Sequence, residues 1–79
     1  MFSKLENIET VISRTIGENI REKREIARLS RAQLAKMLGI SYQQLYKYER
    51  GQNKISAENI VYLKFYLNTD YEEFFKGLF

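Results

Sequence analysis

The sequence predicts an all-α fold, a bundle of five helices with an extra helix in front of it. Three observations carry this expectation. Proline is absent from all 79 residues, which suits a chain made almost wholly of helices, because proline removes a backbone donor and clashes with the preceding turn. Apolar side chains recur three and four residues apart, the spacing of one helical face, and no stretch reads as a confident strand. Ser3, Thr15, Ser41, Ser56 and Asp70 stand where helices would start, and in three cases a Glu three residues later completes a capping box.

In chain order, residues 1–15 place Phe2, Leu5, Ile8, Val11 and Ile12 close to helical spacing, with Ser3 and Glu6 as a capping box. They predict a helical extension over about 4–13, and residues 16–79 form the domain proper. Thr15 and Glu18 make a second box that opens a new helix. Ile16, Ile20, Arg24 and Ala27 lie on one of its faces, and Ile26 and Leu29 beside it. Gly17, in the first turn of that helix, is placed to relieve the junction with the extension. Two short helices come next, joined at Gly39. Leu34, Ala35 and Leu38 form the inner face of the first, and Leu45 and Tyr48 that of the second. Gly39 takes the left-handed turn that glycine adopts without a Cβ penalty, and Ser41 caps the second helix of the two. Ala35 is small where the two helices cross. After the polar loop Gly51-Gln-Asn-Lys-Ile-Ser, Ser56 caps a fourth helix through Leu67. Asp70 and Glu73 open a short fifth one carrying Tyr71, Phe74, Phe75, Leu78 and Phe79.

Leu34, Ala35, Leu38, Gly39, Ile40, Leu45 and Tyr48, together with Glu49-Arg50-Gly51, form a helix-turn-helix pattern. It resembles the Cro/C1-type (XRE-like) family of phage repressors and bacterial regulators, over roughly Ile16 to Leu78. The resemblance implies a lambda-repressor-like domain that binds double-stranded DNA through the second motif helix. Arg31 is a departure: the family usually has a glutamine there that touches phosphate, a role arginine can keep.

Composition narrows the function. With 44% apolar and 29% charged residues the chain is an ordinary globular domain. No apolar run is long enough to span a bilayer, and the start lacks a signal-peptide core, so a cytoplasmic protein with no membrane partner is expected. No linker or low-complexity tract suggests a second domain. Cysteine and histidine are both absent. This removes disulfides, thiolate or imidazole metal sites and Ser-His or Cys-His nucleophiles, and leaves no cofactor, metal, catalytic residue or small-molecule effector to expect. Net charge is +3, but Arg14 to Lys54 holds ten basic residues against four acidic ones, and the remainder is net acidic. One face turned to a polyanion would explain that division; solubilising surface charge is the plainer alternative.

For a helix that enters the major groove, the outward residues here are Tyr42, Gln43, Gln44, Tyr46 and Lys47. Gln can pair with adenine N6 and N7, Lys can donate to guanine O6 and N7, and Tyr can touch a thymine methyl or a phosphate. An ordinary polar helix face would have the same composition. By resemblance, Tyr42, Gln43 and Lys47 fall on base-reading positions, with Gln44 at their edge. Phosphate contacts are expected from Arg31, Gln33, Tyr46, Asn53 and Lys54. Arg24 lies on the inward face of its helix, where an unpaired guanidinium is costly. The resemblance supplies Glu49 as its partner; the alternative is that both side chains reach water.

Six Tyr and five Phe exceed what so small a core can cover. The surplus predicts a homodimer patch on the fourth and fifth helices anchored by Tyr66, Phe75 and Phe79, with Phe2 and Leu5 contributing. Two-fold symmetry would set two reading helices about 34 Å apart, as a palindromic operator requires. The expected function is therefore a small transcriptional regulator, a repressor acting by operator occupancy. The rival is an antitoxin or other interaction module that uses the C-terminal aromatic surface. An enzyme is the remote third reading.

Overall fold

The computed structural model describes residues 8–79. They form five helices: α1 (Ile8–Ile26), α2 (Arg31–Leu38), α3 (Tyr42–Glu49), α4 (Ala57–Tyr66) and α5 (Tyr71–Phe74), with no strand among the described residues. The expected helix start at Lys4, the Ser3–Glu6 box, and Phe2 and Leu5 lie outside them.

The expected break at Thr15 does not occur. Helix α1 runs through it without interruption for 19 residues, so the Thr15–Glu18 box is not a helix start. Gly17 therefore sits mid-helix, and its role differs from the expected one. A Cβ there would run into the carbonyl oxygen of Tyr48 and lie 2.7 Å from that of Glu49. The missing side chain lets the backbone of α1 rest directly on the end of α3. Gly51, just past α3, completes this seam: a Cβ there would lie 2.6 Å from Cα of Arg14.

Local chemistry fixes the helix ends. Ser30, Ser41 and Ser56 all hold extended backbone at an N-cap, and each accepts through Oγ from the backbone N–H three residues on, at 3.0–3.1 Å. Ser30 goes further and forms a full capping box, its N–H donating to Oε1 of Gln33 at 2.8 Å. Asp70 precedes α5 in the N-cap position but makes no side-chain cap, so the expected Asp70–Glu73 box is absent. Glu73 turns instead to Lys23 of α1, 2.7 Å away.

The other ends share one device. The residues just beyond α1, α2, α3 and α4 are Arg28, Gly39, Gly51 and Asn68, with φ of 60°, 70°, 73° and 49°. Each is left-handed and is flanked by the two backward hydrogen bonds of a Schellman motif, such as Ile40 N–H to Ala35 O and Gly39 N–H to Lys36 O.

Ile20, Leu34, Ala35, Leu45, Leu63, Leu67 and Phe74 form the buried core. Helix α1 packs on α3 and α5, and α2 on α3 and α4. The C-terminal turn is tied back by Asn19, whose Nδ2 donates to the carbonyls of Phe74 and Lys76, both at 2.9 Å. Ile26 and Ala27, expected at the inner surface, are exposed: Ile26 lies roughly 200° around α1 from the buried Arg24, and Ala27 falls just past the helix end.

Candidate DNA-binding surface

Helix α3 divides cleanly. Leu45 and Glu49 are buried and Tyr48 half-buried, while Tyr42, Gln43, Tyr46 and Lys47 are exposed on the far side. Four side chains of suitable chemistry thus share one outward face. Gln44 is the exception: it is half-buried, and its Nε2 donates to Oδ1 of Asn53 at 3.1 Å. It braces the loop after α3 and sits at the edge of the face, where the family resemblance places it.

Beneath this face lies a buried ionic centre. Arg24 Nε donates to Glu49 Oε2 at 2.7 Å and Nη2 to Oε1 at 3.1 Å, while Nη1 donates to the carbonyl of Leu29 at 3.0 Å. The two side chains keep only 8% and 1% of their surface exposed. Such burial is tolerable because every donor and acceptor finds a partner: among the described residues no buried side-chain N or O lacks one.

Arg31 joins the same carboxylate, its Nε donating to Glu49 Oε1 at 3.0 Å. Its Nη1 donates to the hydroxyl of Tyr42 at 2.9 Å, and its Cζ lies 5.5 Å from the centre of the Tyr42 ring and 5.2 Å from that of Tyr46. Burial works against the charge, yet the hydrogen bonds to Glu49 and Tyr42 hold this guanidinium above its ordinary value. Tyr46 also meets Arg50, which donates through Nη1 to the phenol oxygen at 3.2 Å, with Cζ 5.6 Å from the ring centre. Cation and ring therefore alternate as Tyr42, Arg31, Tyr46, Arg50 along one flank of α3.

The remaining residues expected at phosphates are less uniform. Gln33 is exposed at the start of α2, but its amide oxygen is engaged by Ser30, leaving the amide N–H groups as donors. Asn53 is exposed in the loop and braced by Gln44. Lys54 is exposed as well and pairs with Glu9 of α1. Sequence reading assigns no role to Arg50, Ser30 or Asn19. The Tyr46–Arg50 spacing of four residues and the Ser30-x-x-Gln33 pattern were available signals; Asn19 offered none.

A helix-turn-helix family profile matches residues 20–74. The chain belongs to the helix-turn-helix family. Its Cro/C1-type character agrees with the solved structures, among which the restriction-modification controller protein C.AhdI from Aeromonas hydrophila superposes with a TM-score of 0.71. The two share 32% identity, and the match covers 78% of this chain and 94% of the other. Relatives include an uncharacterized transcriptional regulator in the ATPase CF(0) region of Rhodospirillum rubrum, 36% identical over 63 residues, or 80% of this chain and 58% of the relative. An uncharacterized HTH-type transcriptional regulator of Rickettsia prowazekii is 40% identical over 63 residues, covering 80% and 48%. The chain spans about half the length of these curated relatives. Membership makes residues 20–74 a helix-turn-helix DNA-binding domain of the kind found in transcriptional regulators. Helix α3 is the second helix of the motif, the one that enters the major groove in helix-turn-helix proteins. No described helix is long and apolar enough to cross a membrane.

Proposed function

We propose that this helix-turn-helix protein binds a specific double-stranded DNA sequence in the cytoplasm as a homodimer. On this reading two recognition helices occupy successive major-groove faces of a palindromic operator, and transcription is repressed by occupancy of that site. The observation that carries the reading is the outward face of α3, where Tyr42, Gln43 and Lys47 stand exposed above the buried Arg24–Glu49 pair. Phosphate contacts fall to the exposed Gln33, Tyr46, Asn53 and Lys54 on this reading. The Lys54–Glu9 pair is highly exposed, so exchanging Glu9 for a phosphate costs little.

The dimer reading draws on α4 and the C-terminus, where Tyr62, Phe65 and Tyr66 are exposed and Phe79 fully so. Phe75 is half-buried against the core and serves the patch from beneath. The same exposed aromatics favour a second reading, in which another protein such as a toxin takes this surface. Selection from random duplex DNA tests the first reading. A palindromic motif is expected, and failure to enrich any sequence, with a co-purifying protein partner, would favour the second.

A further inference from the structure

Arg31, expected at a phosphate, has its Nε engaged with Glu49 and its Nη1 with Tyr42. We propose that Arg31 is a positioning residue that orients the Tyr42 hydroxyl as an outward hydrogen-bond donor, so that Tyr42 selects a base presenting an acceptor in the major groove. The inference rests on the DNA-binding reading above and names what one residue of that surface recognises.

A phenol has one hydrogen to give and lone pairs to receive with. The Tyr42 oxygen already receives from a guanidinium at 2.9 Å. That bond occupies a lone pair and polarises the O–H, making the group a better donor and a poorer acceptor. Because the oxygen accepts from Arg31, its own hydrogen is left for another partner, and Tyr42 is 47% exposed at the first turn of α3. The guanidinium cannot swing aside freely. It is fixed by the buried Glu49 carboxylate and lies over the rings of both Tyr42 and Tyr46. The hydroxyl is thus directed before any DNA arrives. In the major groove guanine offers O6 and N7, adenine offers N7 and thymine offers O4, whereas cytosine offers only its N4 amino donor. Tyr42 therefore accepts guanine, adenine or thymine on the contacted strand and rejects cytosine.

The test is selection and competition binding on duplex DNA with the full chain, comparing wild type, Tyr42→Phe, Arg31→Lys and the double variant. Tyr42→Phe removes the hydroxyl and leaves the Arg31–Glu49 pair untouched. It should lose discrimination against cytosine at one operator position by about 3- to 10-fold, the worth of one hydrogen bond, with random-duplex affinity and salt slope unchanged. Arg31→Lys keeps the charge but not the fork. It should relax the same position, leave the salt slope alone, and add nothing in the Tyr42→Phe background. The proposal is overturned if Tyr42→Phe leaves every base preference intact, if either variant weakens all sequences alike, or if Arg31→Lys changes the salt slope as a phosphate contact would. Should Arg31→Lys fail to fold, Tyr42→Phe decides alone. A wild-type protein that enriches no sequence removes the DNA-binding reading itself, and this inference with it.

Discussion

Arg24 and Glu49, 25 positions apart in sequence, meet as a two-pronged ion pair with almost no access to water. The carboxylate is shared with Arg31, so one acid compensates two guanidinium groups and joins α1, α2 and α3.

Replacing Glu49 with Gln should strand a buried cation and cost about 3–5 kcal/mol of stability, far above the roughly 0–1 of an exposed pair. Denaturant unfolding measures this directly. A variant that unfolds with the wild type would mean that water reaches the pair.

Gly17→Ala should also destabilise, by about 1–3 kcal/mol, although alanine is the better helix former by about 1. The obstruction is backbone, the carbonyls of Tyr48 and Glu49, and cannot rotate away. Gly39→Ala is the control: nothing lies within 4 Å of its Cβ, and its cost comes from the left-handed backbone alone, about 1–2 kcal/mol. Only the first should disturb DNA affinity beyond its effect on the folded fraction.

Lys23 and Glu73 give a pH signature. The hydrogen bond from Lys23 holds the Glu73 carboxyl below its ordinary 4.5, and that to Glu73 holds the Lys23 ammonium above its ordinary 10.5. A depressed carboxylate contributes stability above its unfolded value and loses it as pH falls through the folded one. A raised ammonium contributes below its unfolded value and loses it as pH rises past the folded one. Melting temperatures of wild type and Glu73→Gln should therefore differ between these limits and converge as acid protonates Glu73. A gap that persists at pH 2 would contradict this.

On the DNA surface, Gln43→Ala and Lys47→Ala should each lose roughly 1–3 kcal/mol on the operator and little on random duplex. Lys54→Ala should weaken both alike and lower the salt slope by about one unit. Titrations at several salt concentrations separate the two behaviours.

For assembly, Phe65→Glu is the informative change, because Phe65 is 69% exposed whereas Phe75 packs against the core. A folded monomer that holds a half-site weakly is expected in sedimentation. A wild type that is itself monomeric at tens of micromolar (~50 µM) and on DNA would assign the aromatic surface to another partner.

The parts of this fold legible in the sequence were those written locally. Apolar spacing, the serines at 41 and 56, and Gly39 each act over a few residues, and all are found as expected. The Arg24–Glu49 partnership came from family resemblance, since nothing near either residue specifies the other. What escaped was decided at a distance or by competition. Thr15 and Glu18 have the right types for a cap, but α1 gains more by continuing past them onto α3. Asp70 and Glu73 likewise match a box, but Lys23 offers Glu73 a charged partner. The contacts of Arg31 with Glu49 and the two tyrosine rings were not legible either, because they come together only in the folded chain. The left-handed Arg28 carries no mark in the sequence at all.

On the proposed DNA-binding reading, the glycine seam at Gly17 and Gly51 bears on which partner yields when the protein meets a duplex. Where backbone rests on backbone there is no layer of side chains to slide or repack, so the end of the recognition helix has no cushion on which to tilt. Any mismatch in shape then falls to the duplex, and the ease with which particular base steps bend or narrow becomes part of the recognition, even at base pairs that no side chain touches.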